Sequence, residues 1–117
     1  MKLQLTTREL DGIVVIDATG RLTLTDSHTR LRDLIHVFTG NGRKRFLLNL
    51  AGVEFMDSDG MGELARCFST VRQHGGDLKL VQVNERVRHL LEITRVITLF
   101  DVYIEEKAAL RAFQTRA

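Results

Sequence analysis

Cysteine is almost missing from this chain of 117 residues. Cys67 is the only one, which excludes an internal disulfide and suits a reducing compartment. Tryptophan is absent and tyrosine occurs once, so a stacking platform for bases is poorly supplied. No apolar run approaches the ~20 residues that span a bilayer. The segment Met1 to Arg8 lacks a signal peptide's apolar centre, because Thr6, Thr7 and Arg8 interrupt it. Neither sign of charge dominates: 17 Lys and Arg face 15 Asp and Glu, a net of +2 that is too even to argue for nucleic acid. The densest basic cluster, Arg43-Lys44-Arg45, follows Gly40-Asn41-Gly42 and reads as a glycine turn entering a solvated strand. No Pro-rich, Ser-rich or low-complexity stretch marks a linker, and no internal repeat is present. These absences predict a cytoplasmic protein with no membrane segment and no direct nucleic-acid partner. Oligomeric state is left open, since no heptad seam is present.

What is there reads as one domain over residues 1–117, with a hydrophobic share of 44% and enough length to bury its own core. Leu3, Leu5 and Thr7 alternate with polar residues, Asp11-Gly12 gives a turn, and Ile13 to Ile16 reads as a buried strand that Gly20 ends. A helix is expected from Thr25 or Asp26, burying Leu31, Leu34, Ile35 and Phe38 and closing at Gly40. Phe46 to Leu50 is apolar throughout, as a central strand is. A helix after Ser58 carries Met61, Leu64, Ala65, Phe68 and Val71, and ends before Gly75-Gly76. Leu78 to Val83 is a strand, and Asn84 caps a helix with Val87, Leu90 and Leu91. Phe100 to Ile104 is a short strand, and a last helix from Glu105 packs Ala109, Leu110 and Phe113. Strands alternating with helices after an opening hairpin predict an α/β fold, a mixed, mostly parallel sheet with about four helices. In such sheets function gathers beyond the carboxyl ends of the strands.

Asp57-Ser58-Asp59-Gly60-Met61-Gly62 falls there. A hydroxyl where the chain opens a helix is oriented and close to unpaired N–H groups, so Ser58 can be a cap, a nucleophile or a phosphate acceptor. A nucleophile needs a base; His28, His36, His74 and His89 all fall in or near helix ends, and the nucleophile-elbow glycines are only half matched, with Met56 in the first place. No two histidines lie at i and i+4, Cys67 reads as a small core residue, and no lysine-bearing phosphate loop is present, so no metal or cofactor is expected. A cap or a modified residue remains. Three capping residues stand in succession where one suffices, and two glycines open the helix at a cost of ~1 kcal/mol each relative to Ala. Small residues there let another molecule approach the backbone.

At these residues the chain resembles the STAS domain family, specifically the bacterial anti-sigma-factor antagonists. The resemblance rests on Gly20-Arg21-Leu22, the block from Leu47 to Gly62, Gly75-Gly76 before Leu78-Lys79-Leu80, and the series Val87, Leu90, Leu91, Phe100. It implies a partner-switching regulator of transcription, not an enzyme. In that family the unphosphorylated antagonist binds an anti-sigma factor that is also a serine kinase, which then phosphorylates the serine after the motif aspartate. That serine is Ser58 here, Asp57 orients it, and a phosphoserine phosphatase resets the cycle. The partner-binding surface implied is Asp57 to Gly62. Many members carry Ser or Thr after the acceptor, whereas this chain has Asp59, a second carboxylate beside Ser58. The alternative is a non-switching STAS interaction module, a transport-complex subunit or a signalling scaffold.

Overall fold

The computed structural model describes residues 2–27 and 30–114, with Asp26 and Ser27 described by their backbone alone. Strand β1 (Gln4–Leu10) pairs antiparallel with β2 (Ile13–Leu22). Asp11 and Gly12 join them with φ of 53° and 79°. Positive φ at both central residues matches the right-handed twist of the strands, which is why an Asp-Gly pair serves here.

Gly20 does not end β2. It adopts φ +105°, and a Cβ there would lie 2.3 Å from the Lys2 carbonyl oxygen, so glycine lets the strand bend past the N-terminal segment and continue to Leu22. Strand β3 (Arg45–Met56) also outruns the expected Phe46–Leu50. It pairs in parallel with β2 from Phe46 as far as Met56, across two register shifts, but with β4 (Asp77–Val81) only as far as Asn49. Strand β5 (Val102–Tyr103) completes a sheet of order β1-β2-β3-β4-β5, antiparallel in its first pair and parallel in the rest.

The helices are α1 (Leu24–Ser27), α2 (Arg30–Gly40), α3 (Ser58–Gln73), α4 (Glu85–Ile93) and α5 (Glu106–Gln114), with a 3₁₀ turn at Val96–Leu99. Helical backbone thus begins at Leu24, ahead of Thr25 and Asp26; the Asp26 side chain and His28 lie outside the described residues. The main core gathers Leu31 and Ile35 of α2, Leu64, Cys67 and Val71 of α3, and Val87 and Leu91 of α4 against Val14, Ile16, Phe46, Leu48 and Leu80. On the other face Ala109 and Phe113 of α5 cover Ile13, Val15, Leu47 and Val81. A fully buried side chain of this size contributes about 1.5–3 kcal/mol relative to an exposed one. Lys79 is buried on the α5 face, with Nζ 3.0 Å from Asp77, 2.9 Å from Asp101 and 5.0 Å from the Phe113 ring centre. Burial works to lower its pKa, but the hydrogen bonds to Asp101 and Asp77 together raise it.

Candidate functional site: the start of helix α3

Met56 is buried at the end of β3, and the chain turns into α3 through one residue, Asp57. Its backbone is extended (φ −101°, ψ −176°), the conformation an N-cap requires, and Oδ1 accepts from the Gly60 N–H at 2.8 Å. Its other oxygen, Oδ2, accepts from the Leu24 N–H at 3.2 Å, and its own N–H donates to the Leu22 carbonyl at 3.3 Å. One aspartate therefore caps α3 and ties the β2–α1 turn to it.

Because Asp57 is the cap, Ser58 is not. Ser58 is the first helical residue, exposed, and among the described residues its hydroxyl has no hydrogen-bond partner. Asp59 is exposed in the same turn. Gly60 is buried, and a Cβ on it would lie 1.8 Å from the Leu22 carbonyl oxygen, so the close approach it permits is to the protein's own backbone. Gly62 is half-buried, with nothing nearer a built Cβ than the Arg66 guanidinium at 3.5 Å. Met61 is half-buried, and its Sδ accepts from the Thr94 hydroxyl at 3.0 Å, linking the site to the end of α4. His36, His74 and His89 are exposed, and among the described residues none is hydrogen-bonded to Ser58. No cluster of three or more potential metal ligands occurs among the described residues. Nor is any described helix long and apolar enough to cross a membrane.

The STAS domain model matches residues 4–109. The chain belongs to the STAS domain family. The anti-sigma F factor antagonist of Paenibacillus polymyxa is 27% identical over 115 residues, covering 94% of each chain. Among solved structures, an anti-sigma factor antagonist from Mycobacterium paratuberculosis superposes with a TM-score of 0.82 at 21% identity, over 95% of this chain and 93% of that one. The phosphorylated form of the Bacillus cell fate determinant SpoIIAA superposes with a TM-score of 0.71 at 20% identity, over 93% and 99%. At these identities the structural likenesses establish the fold.

Sequence reasoning missed three residues around this STAS junction. Leu24 (59% exposed) and Phe55 (37% exposed) leave apolar surface uncovered beside it, and the Arg21 guanidinium lies 5.1 Å from the Phe55 ring centre. Glu63 is 5% exposed and accepts from the Arg32 N–H at 3.2 Å, placing a carboxylate in the first turn of α2, where the helix dipole favours it. The signal for Glu63 was its position: Gly60, Glu63, Leu64, Cys67 and Val71 follow the helical repeat of a buried face. Burial, with the nearby Glu63 charge adding to it, pushes the Cys67 thiol up to about 12, so this cysteine is an inert core residue.

Proposed function

We propose that this STAS protein is an anti-sigma-factor antagonist acting in the cytoplasm, a regulator and not a catalyst. It binds an anti-sigma factor that is also a serine kinase, and phosphorylation of Ser58 ends that binding until a phosphoserine phosphatase resets it. The observation that carries this reading is the division of labour at the helix start: Asp57 does the capping and leaves the Ser58 hydroxyl exposed. The relatives support the role, and SpoIIAA supports the modification, since a phosphorylated form of that protein exists.

The electrostatics favour a reversible mark. A phosphate adds about −1.5 to −2 charges at pH 7. At the N-terminus of α3 the dipole tolerates it, with ~0.3–1 kcal/mol in its favour, so the fold survives. A partner seated against Asp57–Gly62 meets a dianion instead of a hydroxyl, and burying a charge without a counter-charge costs several kcal/mol, roughly a hundredfold or more in affinity.

A second reading rests on Asp59. An exposed carboxylate next to Ser58 opposes the incoming phosphate and imitates part of its charge, which fits an interaction module that does not switch. A kinase and binding assay with the cognate anti-sigma factor, using wild type, Ser58→Ala and Ser58→Asp, separates the two. The switch requires ATP-dependent mass gain at Ser58, lost in Ser58→Ala, and weakened binding of Ser58→Asp. If Ser58 is never modified and all three proteins bind alike, the switch is wrong.

A further inference from the structure

Strand β1 forms one edge of the sheet, and β2 is its only strand partner. Its hairpin decides which of its backbone groups are spent. The two-residue turn at Asp11-Gly12 makes Leu10 and Ile13 a hydrogen-bonded pair, and along an antiparallel ladder such pairs come at every second residue. Gln4, Thr6, Arg8 and Leu10 therefore turn their N–H and C=O groups toward β2, and Leu5, Thr7 and Glu9 turn theirs outward. The Leu3 carbonyl, in step with the outward set, agrees with this parity: it accepts from the Arg30 guanidinium at 2.7 Å. Among the described residues nothing bonds the outward groups of Leu5, Thr7 and Glu9.

We propose that this edge pairs with the same edge of a second copy of the chain, antiparallel about a two-fold axis at Thr7. In that register Thr7 meets the partner's Thr7 and Leu5 meets the partner's Glu9, so all three outward residues find backbone partners. Charge favours a second copy in this orientation. Lys2 and the Arg30 guanidinium stand at the beginning of β1, Glu9 and Asp11 at its end. The two-fold sets each basic end against the partner's acidic end, and does so twice. Glu9 is engaged by Arg43 of its own chain, which leaves Asp11, opposite Leu3 in this register, to meet Arg30. Moving the axis to Arg8 would oppose two arginines, which disfavours the slipped register. Beside the strand lies an open groove of about 440 Å³, lined by Leu5 and Thr7 of β1 and by Arg30, Asp33, Leu34 and Val37 of α2, and Val37 is 60% exposed. A two-fold perpendicular to the sheet puts both α2 helices on the same face, one on each side of the seam, where the partner covers this apolar surface. The dimer rests on β1 and α2 and not on the role proposed for Ser58.

Sedimentation equilibrium of the full chain, from micromolar to millimolar concentration, should show monomers and dimers and no larger species, because a two-fold closes on itself. Thr7→Pro removes an outward N–H that β2 does not use, so the monomer should melt close to wild type while association weakens about tenfold or more. Thr7→Cys should cross-link to itself in oxidised glutathione, whereas Gln4→Cys, which faces the partner's Leu10, should not. Cys67 is buried and stays out of that reaction. A chain that stays monomeric at millimolar concentration overturns the proposal, even if a strand of another protein binds this edge. So does a dimer that Thr7→Pro leaves intact. Equal cross-linking at positions 4 and 7 overturns the two-fold at Thr7, and the cysteine variants decide alone should Thr7→Pro not fold.

Discussion

At the end of β3 the side chain of Asp57 caps α3; three residues past β4 the side chain of Asn84 caps α4. Asn84 Oδ1 accepts from the Val87 N–H at 2.9 Å, the counterpart of Asp57 and Gly60 at 2.8 Å. Each cap also spends its remaining group on a neighbouring segment, with opposite polarity. Asn84 donates its Nδ2–H to the Val53 carbonyl at 2.6 Å, whereas Asp57 accepts from the Leu24 N–H. Asparagine stands where a carbonyl needs a donor, and aspartate where an N–H needs an acceptor. The helices then diverge. After Asn84 come Glu85 and Arg86, ordinary helix formers; after Asp57 come Ser58, Asp59 and a buried glycine. Structural need accounts for both caps and for Gly60. It accounts for neither Ser58 nor Gly62, and that surplus is where function is to be sought.

The comparison can be broken most severely at Gly60. Gly60→Ala drives a methyl group into the Leu22 carbonyl, and a loss of about 3 kcal/mol is expected in urea unfolding. Exchanging the caps comes next. Asn84→Asp sets a carboxylate against the Val53 carbonyl and should cost about 2 kcal/mol, while Asp57→Asn keeps one accepting oxygen for Gly60 and should cost about 1 kcal/mol. Equal losses in paired melts would mean that polarity is not what selects the two residues. Gly62→Ala runs the other way: a methyl group there meets only the Arg66 guanidinium at van der Waals distance, so the protein should gain up to about 1 kcal/mol of stability while affinity for the anti-sigma factor falls. An alanine that stabilises without weakening binding would return Gly62 to ordinary helix. Ser58→Ala is the smallest change, within about 0.5 kcal/mol of wild type by thermal unfolding, because an exposed hydroxyl that caps nothing contributes little to the fold.

The order of elements and the placement of the motif were legible from hydrophobic periodicity and turn residues alone. The strand ends were not. Residues 51–56 lose strict alternation, with Val53 and Met56 buried and Glu54 and Phe55 both exposed, since parallel pairing with β2 continues across register shifts. Gly20 resembles a terminator yet serves a close backbone approach, and composition cannot tell those uses apart. At the site, a run of three capping residues was visible, but which of them caps depends on where the backbone leaves the extended conformation, and that residue is Asp57. Glu63 was hidden by its charge, which reads as solvent-facing until the face it shares with Leu64 and Cys67 is counted.

The unequal reach of the sheet has a consequence for how a change at this site would spread through the molecule. Beyond Asn49, β3 keeps only β2 as a strand partner, and past Thr19 and Gly52 β2 has lost β1 as well, so the site stands on an overhang of two strands. Whatever docks at the tip of that overhang meets the Leu22 and Met56 ends of the ribbon and the first turn of α3 before it meets the central strands. A phosphate on Ser58, as proposed above, would sit at this margin of the sheet and not over its centre.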